Sequence, residues 1–189
     1  MPLPAPLLFM TNSCRQVALF QKLNFPFQVL PFPDVVIPLP QESPLLHVKR
    51  VVQHRLLSLH PQCPHGKLFT TYTVCVVGTR FLKAASTQED AKAHMMLLSG
   101  RRHRVYTAIA LFSEATSPIR YRVLQAHIGF KQLDDRDVNA FLSSEEWKFS
   151  TIYDPQGIAG RFICSFRGLP EVPLGVPLYP TYSLLTAHL

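Results

Sequence analysis

A mixed α/β fold, a sheet covered by helices, is the class this sequence predicts. Three observations carry it. Leu68–Val77 and Val105–Leu111 are near-continuous apolar runs, the pattern of strands covered on both faces. Segments with helical periodicity separate the strand-like runs, so the two periods alternate along the chain. Hydrophobic residues make up 47% and charged residues 16%, the balance of a packed core rather than a disordered chain. At 189 residues the chain is long enough to bury that core as one domain, residues 1–189, or as one domain with two lobes.

Each element follows from local chemistry. Leu7-Leu-Phe-Met10 reads as a strand, and residues 13–23 as a helix burying Val17, Leu19, Phe20 and Leu23. Asn24–Leu30 turns into a second strand with prolines at its edges. Pro31–Pro44 is a proline-punctuated loop, residues 45–58 a helix, and Pro61–Gly66 a loop. Lys67–Gly78 is a central strand or a hairpin. Ser86-Thr-Gln-Glu89 is a capping box opening a helix to Leu98, which Gly100 ends. Val105–Phe112 and Arg120–Phe130 are strands, Asp134 and Asp135 cap a helix through Leu142, Arg161–Phe166 is a late strand, and residues 180–189 close the chain as a helix. Met95 and Met96 read as helix core.

The net charge is +7, but Lys and Arg are scattered, with one cluster at Arg101-Arg102-His103-Arg104. A scattered excess is a solvated surface, so nucleic-acid binding is not predicted. That cluster reads either as a solvated turn or as a phosphate-facing rim. Cys14, Cys63, Cys75 and Cys164 form no CxxC pair, and the N-terminus lacks a basic start and a cleavage site. Reduced, buried thiols in a cytoplasmic protein are expected. No apolar run approaches the ~20 residues of a membrane helix, so no membrane partner is expected.

The candidate site is Thr11–Phe20. A strand end hands over to a helix through Thr11, Asn12 and Ser13, all competent N-cap acceptors, with Arg15 in the first turn. Hydroxyls, open N–H groups and a guanidinium suit a phosphate; an ordinary capped helix with a solvated arginine fits the same residues. His60-Pro-Gln-Cys63-Pro-His65 lacks a second ligand pair, and no metal-binding residues are predicted. Ser13 and the histidines give no nucleophile–base pair that sequence can place.

The order of these elements, with Ser-x-Arg opening the first helix, Lys83 after the β-rich segment, and Leu98-Ser-Gly-Arg-Arg-His-Arg-Val-Tyr-Thr107, resembles the Maf family of nucleoside triphosphate pyrophosphatases. Phe141–Trp147, Tyr153-Asp-Pro-Gln156-Gly157, Gly160 and Gly175-Val-Pro177-Leu178 agree with it, and the resemblance spans roughly residues 6–187. It implies an inosine-triphosphatase-like α/β fold, a mixed, elongated twisted sheet flanked by helices, with two lobes around a central cleft. It also implies cleavage of dTTP, UTP or modified nucleotides to a monophosphate and pyrophosphate, a divalent cation (usually magnesium), and a homodimer. In such a site Arg and Lys clamp phosphates while carboxylates hold the metal or activate water.

Residue by residue, the resemblance makes Ser13, Arg15, Arg55, Tyr72, Lys83 and Gln156 the substrate-binding positions and Thr71 the catalytic one. Several positions depart from the family. Cys14 and Gln16 replace a proline and an arginine. The acidic residue of the following loop falls on Asp34 or on Val36. Arg55 stands for a lysine, and Phe149-Ser-Thr-Ile-Tyr153 lacks a Lys-Ala-Gly stretch. Thr71 stands where the family has the aspartate taken as general base, and Tyr72 replaces a small threonine. A hydroxyl without a neighbouring base does not accept a proton at neutral pH. The substitute carboxylates open to the chain are Asp34, Glu42 and Asp154. Three functions follow: a pyrophosphatase with a shifted or weakened base, a non-catalytic binder of a nucleotide or other phosphate anion, or a scaffold without ligand.

Overall fold

The computed structural model describes residues 7–32, 36–59, 61, 66–113, 118–148 and 152–188. Within them the elements are β1 (Leu7–Met10), α1 (Cys14–Gln21), β2 (Phe27–Leu30), α2 (Pro44–Leu59), β3 (Lys67–Val77), β4 (Arg80–Leu82), α3 (Gln88–Leu98), β5 (Arg102–Phe112), β6 (Arg120–Phe130), α4 (Asp135–Ser143), β7 (Ile163–Arg167) and α5 (Leu178–His188). The strands form one mixed sheet in the order β2-β1-β3-β5-β6-β7, with β4 paired to β3 off that path. The mixed α/β class is therefore as the sequence predicts. Contacts divide the chain into two compact units, the first of Met1–Tyr72, Thr107–Leu124 and Gly175–Leu189, the second of Thr73–Tyr106 and Gln125–Leu174.

In the first unit β1 runs parallel to both β2 and β3. The register pairs Met10 with Thr70, and the Thr70 hydroxyl donates to the Met10 carbonyl at 3.4 Å. The residues leaving β1 therefore start level with Thr71, at the carboxyl end of β1, where open α/β sheets place ligands. Phe9, Phe20 and Phe69 pack with ring centroids 4.6 to 5.2 Å apart, and all three are fully buried. Truncating one such ring to alanine costs about 3–5 kcal/mol. α2 opens with Pro44 at its first position, and Ser43 Oγ accepts from the Leu46 N–H at 3.3 Å. Its buried stripe is His47, Val48, Val51, Val52, Arg55 and Leu56, an amphipathic spacing that carries two polar side chains inward.

In the second unit β3 turns into β4 through Gly78, whose φ of +59° suits the first position of a two-residue hairpin turn. Sequence pattern missed β4 because it is three residues long. The capping box of α3 is displaced by one residue from the predicted one. Thr87 is the N-cap and Asp90 its partner, with the Ser86 hydroxyl also donating to Asp90 at 2.7 Å. Adjacent hydroxyls offered two frames, and the aspartate accepting from both selected the second. Gly100 lies at φ +66°, and a Cβ there meets Gln132 Oε1 at 2.5 Å. Asp134 and Asp137 form the box of α4. Both oxygens of Glu146 accept from the Ile158 N–H at 3.0 Å, which holds the start of the 3-10 turn Ile158–Phe162.

Two expectations about burial fail. Met95 is core, but Met96 is 54% exposed, because consecutive helical residues point about 100° apart. Cys75 is buried, whereas Cys14 and Cys164 are exposed free thiols; Cys63 lies outside the described residues. Among the described residues no helix is long and apolar enough to cross a membrane.

Candidate functional site

The loop after β1 is held by its own side chains. Thr11, nearly fully buried, accepts from the Ser13 N–H at 3.0 Å and donates to Gln16 Oε1 at 2.6 Å. Ser13 is the N-cap of α1, its hydroxyl accepting from the Gln16 N–H at 3.4 Å. Asn12 clasps Phe32, donating to its carbonyl at 2.7 Å and accepting from its N–H at 3.4 Å. The first turn of α1 contains no acidic residue and includes half-buried Arg15, so the positive end of the helix dipole is uncompensated by any carboxylate there. Of three N-cap candidates the structure uses Ser13, while Thr11 and Asn12 fix the loop to its neighbours.

Phe32 links this loop to the second cluster of expected residues. The Arg55 guanidinium lies 3.9 Å from the Phe32 ring centroid and 4.9 Å from that of Tyr72. Its Nη1 donates to the Thr71 carbonyl at 2.9 Å. Only 7% of Arg55 is exposed, so it is a desolvated cation resting on two aromatic faces, an arrangement a flat guanidinium fills and an ammonium does not. Thr71 is also buried, and its hydroxyl donates to the carbonyl of Gly175. The proton of that hydroxyl is thus committed to backbone. Gly175 itself sits at φ +87°, a conformation that favours glycine.

Tyr72 joins a partly buried polar network. His47 Nδ1–H donates to Glu42 Oε2 at 3.0 Å, which leaves Nε2 to accept from the Tyr72 hydroxyl at 3.4 Å. Arg50 grips Glu42 with both prongs, Nε to Oε1 at 2.6 Å and Nη2 to Oε2 at 2.7 Å, and also donates to the Ile37 carbonyl at 2.9 Å. The Arg50 bond, with the Leu39 N–H, holds the Glu42 carboxyl down at about 2 against the resistance of burial. Burial lowers His47 and raises Tyr72, so both stay neutral at physiological pH. Sequence reasoning missed the roles of His47 and Arg50. The available signal was a histidine on the apolar stripe of α2.

The structure thus links Arg55, Thr71 and Tyr72 within the first unit and, through Asn12 and Phe32, the loop that carries Ser13; Arg15 follows in the first turn of α1. Lys83, exposed beyond β4, belongs to the second unit, as does Gln156, whose N–H donates to Asp154 Oδ1 at 2.9 Å. Of the proposed substitute carboxylates, Glu42 is neutralised by Arg50, Asp154 holds a turn, and Asp34 lies outside the described residues. Val36, the other position for that acidic residue, is half-buried and apolar. Phe149–Thr151 and most of the His60–His65 loop also lie outside the described residues.

Among the described residues no group of three or more His, Cys, Asp or Glu side chains is placed to hold a metal ion. A divalent cation takes oxygen ligands with carboxylates foremost. The described donors of the first unit do not fit it: the Thr71 proton points to Gly175, and both Glu42 oxygens face a guanidinium. What the cluster does offer is a capped helix N-terminus, Arg15 and a buried Arg55, a set suited to an oxyanion.

An α/β protein with such a capped strand-to-helix loop is a fold class with many members. Here the sequence model described as "Maf-like protein" matches residues 6–188, and the chain belongs to the Maf family. It is 34% identical over 184 residues to the dTTP/UTP pyrophosphatase of Wolbachia sp. subsp. Brugia malayi (strain TRS), covering 96% of this chain and 93% of that one. It is 31% identical over 184 residues to the nucleoside triphosphate pyrophosphatase of Ehrlichia ruminantium (strain Welgevonden), covering 96% and 95%. A dTTP/UTP pyrophosphatase of Rhodopseudomonas palustris (strain BisB18) is 42% identical over 114 residues, 60% of this chain and 55% of its own.

Proposed function

We propose that the chain is a nucleoside triphosphate pyrophosphatase of the Maf type, with pyrimidine nucleotides such as dTTP and UTP as substrates and with turnover limited by the side chain at position 71. Family membership and the names of its relatives support the reaction, in which water attacks and a monophosphate and pyrophosphate leave. The retained Ser13 cap, Arg15 and Arg55 support phosphate binding at the start of α1. The observation that carries the reading of slow turnover is the Thr71 hydroxyl, donated to the Gly175 carbonyl where an aspartate is expected to accept a proton from water. Loss of a general base costs roughly 10²–10⁴-fold in rate.

Pyrophosphate release from dTTP and UTP, with magnesium, by the wild-type chain and by Thr71→Asp tests this. Slow release by the wild type and at least tenfold faster release by the variant are expected, since a carboxylate restores the missing acceptor. No release at high enzyme concentration from either protein sinks the pyrophosphatase reading. A second reading, a nucleotide binder without turnover, is favoured by the same committed hydroxyl. It requires calorimetric binding of a non-hydrolysable triphosphate that Arg15→Ala weakens. No shift in melting temperature with any nucleotide leaves only a scaffold role. Cytoplasmic location, a homodimer, a single functional domain and contributions from Lys83 and Gln156 belong to the same proposal. Gel filtration and Lys83→Ala binding isotherms address the dimer and Lys83 directly.

A further inference from the structure

We propose a second anion site on the exposed face of β5, β6 and β7 in the second unit, taking a small molecule that carries phosphoryl groups. A pocket of about 320 Å³ lies there, lined by Arg102, His127, Ile128, Ser165, Phe166 and Arg167. That volume falls within the roughly 300–1,000 Å³ of small-molecule sites. None of these residues belongs to the set assigned to nucleotide binding.

Register explains why the polar groups converge. His127 pairs with Arg167 and Gly129 with Ser165, so these four share one face of the β6–β7 pair, and the Ile128–Phe166 pair between them also borders the pocket. His127, Ser165 and Arg167 are exposed and Ile128 is buried, while Phe166 on this edge strand is exposed as well. Gly129 makes the depression. A Cβ there meets Ser165 Oγ at 2.3 Å and touches Arg102 Cγ at 3.5 Å, so the glycine leaves the space in which the Ser165 hydroxyl lies against the sheet.

Charge supplies the specificity. Among the described residues that line it the pocket has no carboxylate, and neither guanidinium makes a hydrogen bond or ion pair with a described residue. Arg104, two residues along β5, differs: it donates to the Gly78 carbonyl and, at 3.3 Å, to the Tyr106 hydroxyl. His103, between them, is buried. The basic cluster seen in the sequence is therefore divided, and of its four residues Arg102 is the one that lines the pocket. Two permanently charged forks beside a hydroxyl match tetrahedral oxyanions, and the pocket has room for more than one phosphoryl group. The Gln125 side-chain N–H donates to His127 Nε2 at 2.9 Å, which orients the imidazole at the edge of the pocket.

The test is an amide NMR titration of the full chain with sodium pyrophosphate. Saturable shifts at Gly129, Ser165 and Arg167 are expected. Arg102→Gln and Arg167→Gln are each expected to weaken that isotherm about tenfold, the loss of one charge-assisted contact. Gly129→Ala, which keeps every charge, weakens it by filling the cradle. Arg136→Gln, an exposed arginine on α4, leaves it unchanged. Circular dichroism confirms that each variant is folded. Shifts confined to Ser13–Gln16, non-saturating shifts, or equal weakening by Arg136→Gln overturn the proposal, the last because net charge alone then accounts for binding. Tighter binding of a short DNA strand than of pyrophosphate at the same amides, with a steep salt dependence, also overturns it, since the occupant is then a nucleic-acid backbone. Because the shifts report position, their absence here leaves the nucleotide site of the first unit untouched.

Discussion

Replacing Thr71 by valine removes one buried hydrogen bond and changes little else. Thr71 is 3% exposed, and its hydroxyl serves the carbonyl of Gly175, itself buried. Valine keeps the branched shape but leaves that carbonyl without its donor. A net hydrogen bond is worth about 1 kcal/mol, and an orphaned buried acceptor raises the loss to about 1–3 kcal/mol. For a chain of this length 1 kcal/mol moves the melting midpoint by about 2–4 °C, so a loss of about 2 kcal/mol lowers it by about 4–8 °C. Thr71→Ser keeps the donor and gives up only a methyl group, about 1 kcal/mol. The assay is urea and thermal unfolding of the three proteins, each monitored by two probes. Thr71→Val within about 0.3 kcal/mol of wild type, or below Thr71→Ser in cost, refutes the claim that this hydroxyl is a structural donor, and frees it for chemistry.

Two predictions concern pH. Glu42 titrates at about 2 in the folded chain against 4.5 ordinarily, so its contribution is full above pH 4.5 and is lost as pH falls through about 2. Urea titrations in that window are expected to show falling stability in the wild type and a flatter profile in Arg50→Gln. His103 is buried beside Tyr153, sharing a 2.6 Å hydrogen bond, and burial holds it at about 4 against 6.5. The unfolded chain takes up that proton first, so stability falls as pH drops from 6.5 towards about 4, by on the order of 3 kcal/mol. His103→Gln is expected to remove that slope, as denaturation midpoints between pH 7 and 4 will read out.

Local signals carried most of the fold. The apolar run of β1 was bounded cleanly by Pro6 and Thr11, and Asp134 announced α4 through its own capping chemistry. Boundaries slipped where neighbours competed, as Ser86 and Thr87 did for Asp90. The site was less readable, because its decisive contacts join distant residues. Thr71 meets Gly175 across 104 positions, and Arg50 reaches back eight residues from a helix to a loop. Nothing in a linear pattern says that Glu42 will be gripped in this way rather than left as a base. The identity of Thr71 was visible from the start; the destination of its proton was not.

The Thr71–Gly175 bond has a further consequence, for the order in which the protein comes into being. The first unit is assembled from three separate stretches, and the last of them, Gly175–Leu189, follows every residue of the second unit in the chain. During synthesis, which proceeds at about 5–20 residues per second, β1, α1 and α2 wait while residues 73–174 are made. Until then the Thr71 hydroxyl has no carbonyl to meet, and Arg55 waits beside it. Every residue of the second unit, which ends at Leu174, is made before that stretch. A nascent chain stalled near residue 174 therefore lacks the carbonyl that receives the Thr71 proton, so a contact of one of the early strands is among the last to form.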